Sequence, residues 1–474
     1  MKVLRGNKLL PFAAATVVGL GTMYMASKRL LESRSNNDSV SVDLNKVQKN
    51  KILTRQEAIC QSKAVIHKLQ ESTGSPGISV AVSLNGVIVW QQGFGYADVE
   101  NEVKCTPHTV MKIASISKPI TSVLLAKLWE MEVVDIDRDI SDYVKYWPQK
   151  YWMGEKVAIT GKQLATHRAG VRDYKPIKQE RKSEFGSSDS LEFDYEEYYI
   201  TETFKTIKES VSLFQNDPLI SKPGDEFHYT THGYTLLSAC LEGASGKDFP
   251  TLAYNLYKDL GLTETYLDND KQKLIYNRSC HYVRGHDDEI QNAPYAESSF
   301  KLAGAGMLSS VRDLIKFGNI VLYSFQRNGD MSQCIPGYLK SSTVQLLWQP
   351  IKGTEVSWHP AGSYGMGWQT VPCDKNSSLI SESVTTDRKR NTVEKTEMTV
   401  RDPGKFIVGH TGGTVGASSV LMILPTSVNK SEVNPPCGIV VVILANLQGV
   451  SLGKVAVNIA NIFDRCIPHD GNVQ

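Results

Sequence analysis

Between Leu53 and Leu69 the apolar residues Ile59, Ala64, Val65, Ile66 and Leu69 recur at helical spacing. Two β-branched runs follow, Gly77–Leu84 and Val87–Gly95, divided by Asn85-Gly86. That dipeptide between two such runs predicts a tight hairpin, because both residues tolerate positive φ. A further helical stripe, Ile116, Ile120, Val123, Leu124 and Leu128, predicts a helix from Ser115 to Met131. Helical periodicity returns over 233–260 and over 308–325, where Leu314, Phe317, Ile320 and Val321 share a face. Near the end come three β-rich runs, Phe406–His410, Val415–Leu424 and Cys437–Leu444, closed by a helix-like segment Ser451–Asp464. Two stretches break the pattern. Residues 175–212 are acidic, aromatic and weakly periodic, which reads as a surface excursion, and residues 374–402 are polar and charged, which reads as a long loop. The order of elements predicts one antiparallel sheet built from both ends of the chain, flanked by helices, with a mostly helical lobe inserted between.

Composition adds little until the N-terminus is set apart. With 41% hydrophobic and 22% charged residues, the 474-residue chain has globular composition, which excludes disorder, collagen-like repeats and a polytopic membrane protein. Lys+Arg 52 against Asp+Glu 50 leaves +2, so no basic field favours nucleic acid. The eight cysteines are scattered, without C-x-x-C, so no metal or other cofactor is expected. Residues 1–34 differ from this average. Lys2, Arg5, Lys8, Lys28, Arg29 and Arg34 flank an apolar run from Leu9 to Ala26, and the first acid is Glu32. This is a targeting or membrane-anchor segment, open to secretory, signal-anchor and mitochondrial readings, followed by a polar linker over 35–52.

Ser115-Ile116-Ser117-Lys118 fits S-x-x-K, a spacing that also occurs at Ser298/Lys301, Ser427/Lys430 and Ser451/Lys454. Context separates the first: it opens an amphipathic helix, so Lys118 lies one turn from a serine at the helix N-terminus. Burial there would lower the lysine pKa and let it take the serine proton. The plainer alternative is a capping serine beside a solvated lysine. Tyr229 before an apolar helix is a second proton carrier or a packed aromatic, and His410-Thr411-Gly412-Gly413 is a close-approach strand or an ordinary turn. His167 reads as a turn residue, His286-Asp287-Asp288 as a solvated loop, and Trp129, Trp147, Trp152, Trp348, Trp358 and Trp368 as core or cleft-lining aromatics.

Taken in order, Ser115-x-x-Lys118, Tyr229-x-Thr231 and His410-Thr411-Gly412 resemble the S-x-x-K, Y-x-N and K-T-G elements of serine β-lactamases and penicillin-binding proteins. Leu164–Gly170, Ala303–Ser310 and Tyr364–Trp368 resemble further landmarks, over about residues 55–465. Ile113–Lys118, Asn216–Pro218, Phe227–Tyr229 and His410–Val420 bring the chain near the mitochondrial branch of that family in animals. The resemblance implies an α/β (α+β) β-lactamase fold over 53–466, with an α/β lobe from 53–113 and 355–466 and a helical lobe over 115–350. It implies Ser115 as acylated nucleophile, Lys118 as its base and Tyr229 as proton relay, with the N–H groups of Ser115 and Gly413 as oxyanion hole. Asn216, Thr231, His410, Thr411 and Gly412 become substrate-binding candidates.

Two departures matter. Thr231 replaces an amide, and His410 replaces a permanent cation by a group mostly neutral near pH 7. β-Lactam hydrolysis is therefore not the expected native task. The implied function is a mitochondrial serine hydrolase, peptidase-like, in the regulation of mitochondrial lipid metabolism. It would act on a peptide, protein or ester in the intermembrane space, at the inner membrane, as a homo-oligomer or filament. The alternatives are a self-assembling scaffold with weak or no catalysis and a cell-wall transpeptidase, the latter opposed by the N-terminus.

Overall fold

The computed structural model describes residues 52–175, 196–269, 274–285, 287–327, 337–372, 406–426 and 436–467, and the backbone of 379–383 and 394–398. The targeting segment, the linker up to residue 51 and most of 374–402 lie outside these residues. A hairpin, Leu379–Ser383 with Glu394–Met398, falls within the second stretch read as a loop.

Helix α1 (Arg55–Thr73) starts at a capping box in which Thr54 and Glu57 satisfy each other's backbone N–H, and it ends at Gly74 with φ 63°. Strands β1 (Gly77–Leu84) and β2 (Val87–Asp98) form the hairpin, and Asn85 (φ 49°) and Gly86 (φ 78°) both take the positive φ that the turn requires. After β3 (Val103–Lys104) comes α2 (Ser117–Glu130), then α3 (Ile207–Ser212), α4 (Thr231–Ser245) and α5 (Phe249–Leu260). The periodic stretch 233–260 is thus two helices, broken at Gly246 in the left-handed region and restarted by the Asp248 cap. Next are α6 (Val311–Gln326), α7 (Ser341–Trp348), β4 (Ser363–Tyr364), β5 (Gln369–Pro372), β6 (Phe406–Thr414), β7 (Ala417–Pro425), β8 (Gly438–Ala445) and α8 (Gly453–Asp464).

The sheet order is β4-β5-β6-β7-β8-β1-β2-β3, so the strands of the two chain ends meet where β1 pairs antiparallel with β8, Ile78 opposite Ala445 and Val82 opposite Val441. Central strands are buried on both faces. Val441 and Ile443 pack with α1 and α8, while Val440, Val442 and Leu444 join the larger core shared with the helical side. Such strands read as continuous apolar runs because each face has a helical cover. The expected boundary of the helical lobe at 350 is corrected here. Helix α6 lies across the sheet, where a Cβ on Gly318 would come within 2.6 Å of Val440 and 3.2 Å of Leu421.

The reading of 175–212 as a surface excursion is also revised: residues 176–195 lie outside the description, but Ile207 and Val211 are core residues. Glu197 is buried against Arg172 (2.9 and 3.0 Å) and His232 (2.8 Å), an ion-pair network that ties this return segment to α4. Among the described residues, no helix is long and apolar enough to cross a membrane.

Candidate active site

Ser115 does not sit on the helix itself. It occupies a one-turn 3-10 segment, Ala114–Ile116, just before α2, and Ala114 in front of it has φ 47°. A positive φ on a non-glycine residue is strained, and such strain persists only where the surroundings fix it. Here Ile113 is fixed from both sides: its N–H donates to the Met307 carbonyl at 3.0 Å and its carbonyl accepts from Ser419 Oγ at 2.7 Å. Strand β6 comes so close that a Cβ on Gly412 would lie 2.4 Å from Ser419 Oγ, 2.7 Å from the Ile113 carbonyl and 2.9 Å from the Ser115 nitrogen. Only glycine admits this approach.

In the first turn of α2, the fully buried Lys118 donates from Nζ to Ser115 Oγ (3.1 Å), the Gly304 carbonyl (3.0 Å) and Thr231 Oγ1 (3.4 Å). Burial pushes its pKa down to about 7; nearby Asp173 works against that shift and Lys301 adds to it. The capping-serine alternative does not apply, since the N-cap of α2 is Ile116 with no side-chain bond. Tyr229 lies in the loop before α4 and lines the same cleft as Ser115, its ring 4.6 Å from Lys118 Nζ. Burial raises the phenol well above its ordinary pKa, so it stays protonated.

The site opens on a cleft of about 170 Å³. Ser115, Tyr229, Thr231, Gly413 and Thr414 line it, and the structure thus brings the three motif segments together. The N–H of Thr411 points toward the β5 side, where the Gln369 side chain accepts it at 3.3 Å. With a period of two, the N–H of Gly413 faces that same edge, beyond the last β5 pair at Gly409. It is there available to an oxyanion beside the Ser115 nitrogen.

Of the five substrate-binding candidates only Thr231 lines the cleft; Thr411 and Gly412 lie on β6 outside its wall, and His410 and Asn216 are placed elsewhere. His410 is buried and absent from the cleft wall: its Nδ1–H donates to the Thr411 carbonyl at 2.5 Å and its Nε2 accepts from the Tyr364 hydroxyl at 2.9 Å. Burial, with Lys118 nearby, lowers its pKa to about 3, so it is a neutral structural group. Asn216 is exposed, in a turn whose carbonyls at Gln215 and Asp217 accept from Lys150, and it does not line the cleft.

Other residues enter the site that the sequence did not mark as part of it. His167 (φ 58°) is buried beneath Tyr229, ring centroids 4.3 Å apart, and its Nδ1 accepts the Thr230 N–H at 3.1 Å. Asp173, Tyr174, Tyr198 and Lys301 also line the cleft. Lys301 is buried, with its pKa lowered to about 7 chiefly by burial and then by Lys112. The one signal for it was the S-x-x-K spacing at Ser298; for Asp173 there was none. Among the described residues no three potential ligands gather to hold a metal ion. Position 286 of His286-Asp287-Asp288 lies outside them.

A serine hydroxyl bonded to a buried lysine, with a tyrosine in the same cleft, set beside an antiparallel sheet under helices, defines the active-site-serine class built on the β-lactamase and penicillin-binding-protein fold. The chain belongs to the β-lactamase family, whose model matches residues 63–462, among its serine β-lactamase-like members. It is similar to the human "Serine beta-lactamase-like protein LACTB, mitochondrial", 38% identical over 460 aligned residues, covering 86% of this chain and 80% of the relative. The mouse protein of the same name is 37% identical over the same shares. Among solved structures it resembles the octameric penicillin-binding protein homologue from Pyrococcus abyssi, with a TM-score of 0.61 at 21% identity over 84% of this chain and 76% of that one. It also resembles EstCE1, a hydrolase with promiscuous acyltransferase activity, with a TM-score of 0.62 at 18% identity over 87% and 99%.

Proposed function

We propose that this chain is a serine hydrolase that cleaves a peptide or ester bond through an acyl-enzyme on Ser115. The observation that carries the reading is Lys118 Nζ at 3.1 Å from Ser115 Oγ, buried and with its pKa brought to about 7. Near neutral pH about half of such a lysine is the free amine, and a general base works best when its pKa lies near the working pH. In the first half-reaction Ser115 Oγ attacks the substrate carbonyl while its proton passes to Lys118. The oxyanion is held by the N–H groups of Ser115 and Gly413. Tyr229, protonated and beside Lys118, gives its proton to the leaving group and recovers one from the Lys118 ammonium. Water then attacks the acyl carbon, its proton returns through the amine, and the bond to Ser115 Oγ breaks.

Place belongs to the same proposal. The basic flanks of the Leu9–Ala26 run and the mitochondrial names of the human and mouse relatives support a mitochondrial protein, and its proposed position there is the inner membrane facing the intermembrane space. Regulation of lipid metabolism there is its proposed setting. A pure scaffold, filament-forming or not, has no use for a desolvated lysine against a serine hydroxyl. A fluorophosphonate probe tests the chemistry: wild type becomes labelled and Ser115→Ala does not. Equal labelling of the two removes the catalytic reading.

A further inference from the structure

Asp173 is the one carboxylate among the described residues that line the cleft, and the steps above leave it without a task. It is reached through α4. Its Oδ1 accepts the Thr231 N–H at 2.8 Å, and Thr231 Oγ1 in turn accepts from Lys118 Nζ at 3.4 Å. Position 231 is where the Y-x-N pattern has an amide. An amide offers an acceptor and two donors on one side chain, whereas a threonine hydroxyl offers one donor on the same oxygen that accepts. The polar group missing at 231 therefore has a neighbour that is charged.

We propose that Asp173 is a positioning residue for the Ser115–Lys118 pair. It fixes Thr231 at the start of α4 so that Oγ1 meets Lys118, and its negative charge stabilises the ammonium formed when Lys118 takes the Ser115 proton. The inference rests on the acyl-enzyme reading above. The groups facing Lys118 are few. Tyr229 and Tyr234 present their rings at 4.6 and 5.6 Å and remain phenols, and Gly304 presents a carbonyl. His167 and His410 are coupled to it but are held neutral by burial. Among the described residues, two further groups act on it in opposition: Asp173, which favours the ammonium and whose own carboxyl is raised by burial against the lowering effects of His232, the Thr231 N–H and Lys118, and Lys301, which disfavours it.

Replacing Asp173 by Asn keeps the size and an acceptor for the Thr231 N–H but removes the charge. Lys118 then loses its proton more readily and becomes a weaker base. The rate of probe labelling at Ser115, followed against pH, reads both effects. For Asp173→Asn the midpoint of the acidic limb should fall by about one pH unit, the lower end of what a neighbouring opposite charge does. The plateau rate should fall several-fold, while Asp173→Glu, which retains the charge, should keep the limb near its wild-type position. A lower plateau with an unmoved limb would overturn the proposal, because Asp173 would then be only a strut for α4. If wild type itself takes no label, the acyl-enzyme reading falls and this one with it. Labelled wild type with an unmoved Asp173→Asn limb removes this inference alone.

Discussion

Lys118→Met isolates the energetic consequence of burying a catalytic amine. The side chain is fully buried, and its pKa moves from 10.5 to about 7. At about 1.36 kcal/mol per pKa unit, carrying the proton into the fold disfavours the native state by about 4 kcal/mol at pH 7. Methionine has similar length and no charge, so it removes that term. It also leaves the Gly304 carbonyl and Thr231 Oγ1 without the Lys118 donor, which costs about 2 kcal/mol in all. The net expectation is a variant about 2 kcal/mol more stable than wild type at pH 7 and unlabelled by the serine probe. Because the folded pKa is depressed, the unfolded chain binds the extra proton between pH 7 and 10.5. Wild-type stability therefore gains about 1.4 kcal/mol per pH unit from this residue in that window, and the variant does not. By pH 9.5 the two should be nearly equal or reversed. Lys301 carries a similar shift and contributes its own slope to both proteins. Urea unfolding at pH 7, 8 and 9.5, analysed by linear extrapolation, measures the gap. A gap that stays constant with pH would refute the claim that Lys118 titrates near neutrality.

Two other expectations follow from the geometry. Gly412→Ala would drive a methyl into Ser419 Oγ, the Ile113 carbonyl and the Ser115 nitrogen, displacing the nucleophile's turn, so probe labelling should drop at least 100-fold while unfolding shows a loss of about 1–3 kcal/mol. Glu197→Gln removes a carboxylate that burial alone would raise but that His232 and Arg172 hold at about 2. Its stabilisation is present above pH 4.5 and fades as pH falls toward 2, so the variant should be about 2 kcal/mol less stable at pH 7, after allowance for screening, and nearly equal to wild type at pH 2 by urea titration.

The parts of the site that the sequence revealed are those with local geometry. Ser115 and Lys118 are three residues apart, a spacing that one helical turn converts into contact, and β6 to β8 announce themselves as apolar runs. Asn216 shows the limit: it neighbours Pro218 and precedes Tyr229 in the chain, yet the turn carries it to the surface. The sequence shows a histidine at 410 where the family pattern has a lysine, but not that both its ring nitrogens are occupied, since Tyr364 comes from another strand. Residues 196–212 read as surface because Glu197 and Tyr198 are polar, and the partners that bury Glu197, Arg172 and His232, are distant in sequence. Lys301 shares its S-x-x-K spacing with the half-buried Lys454, and only packing separates the two. Helix α6 follows the helical segments in order, but Gly318 allows it to rest on the sheet instead.

The departures at 231 and 410 are best understood together. A lysine at 410 would place a third ammonium in a region where Lys118 and Lys301 are already pushed to about 7 by burial. His410, held neutral with its pKa near 3 and bonded to Tyr364 and Thr411, adds no charge and stiffens the strand that carries Gly412 and Gly413. Thr231 removes an amide and admits a charged neighbour, Asp173, whose carboxylate it meets through its N–H. The charge in the cleft has thus moved from the β6 strand to Lys301 and Asp173. The basicity of Lys118 is set by burial and by the contest between those two residues.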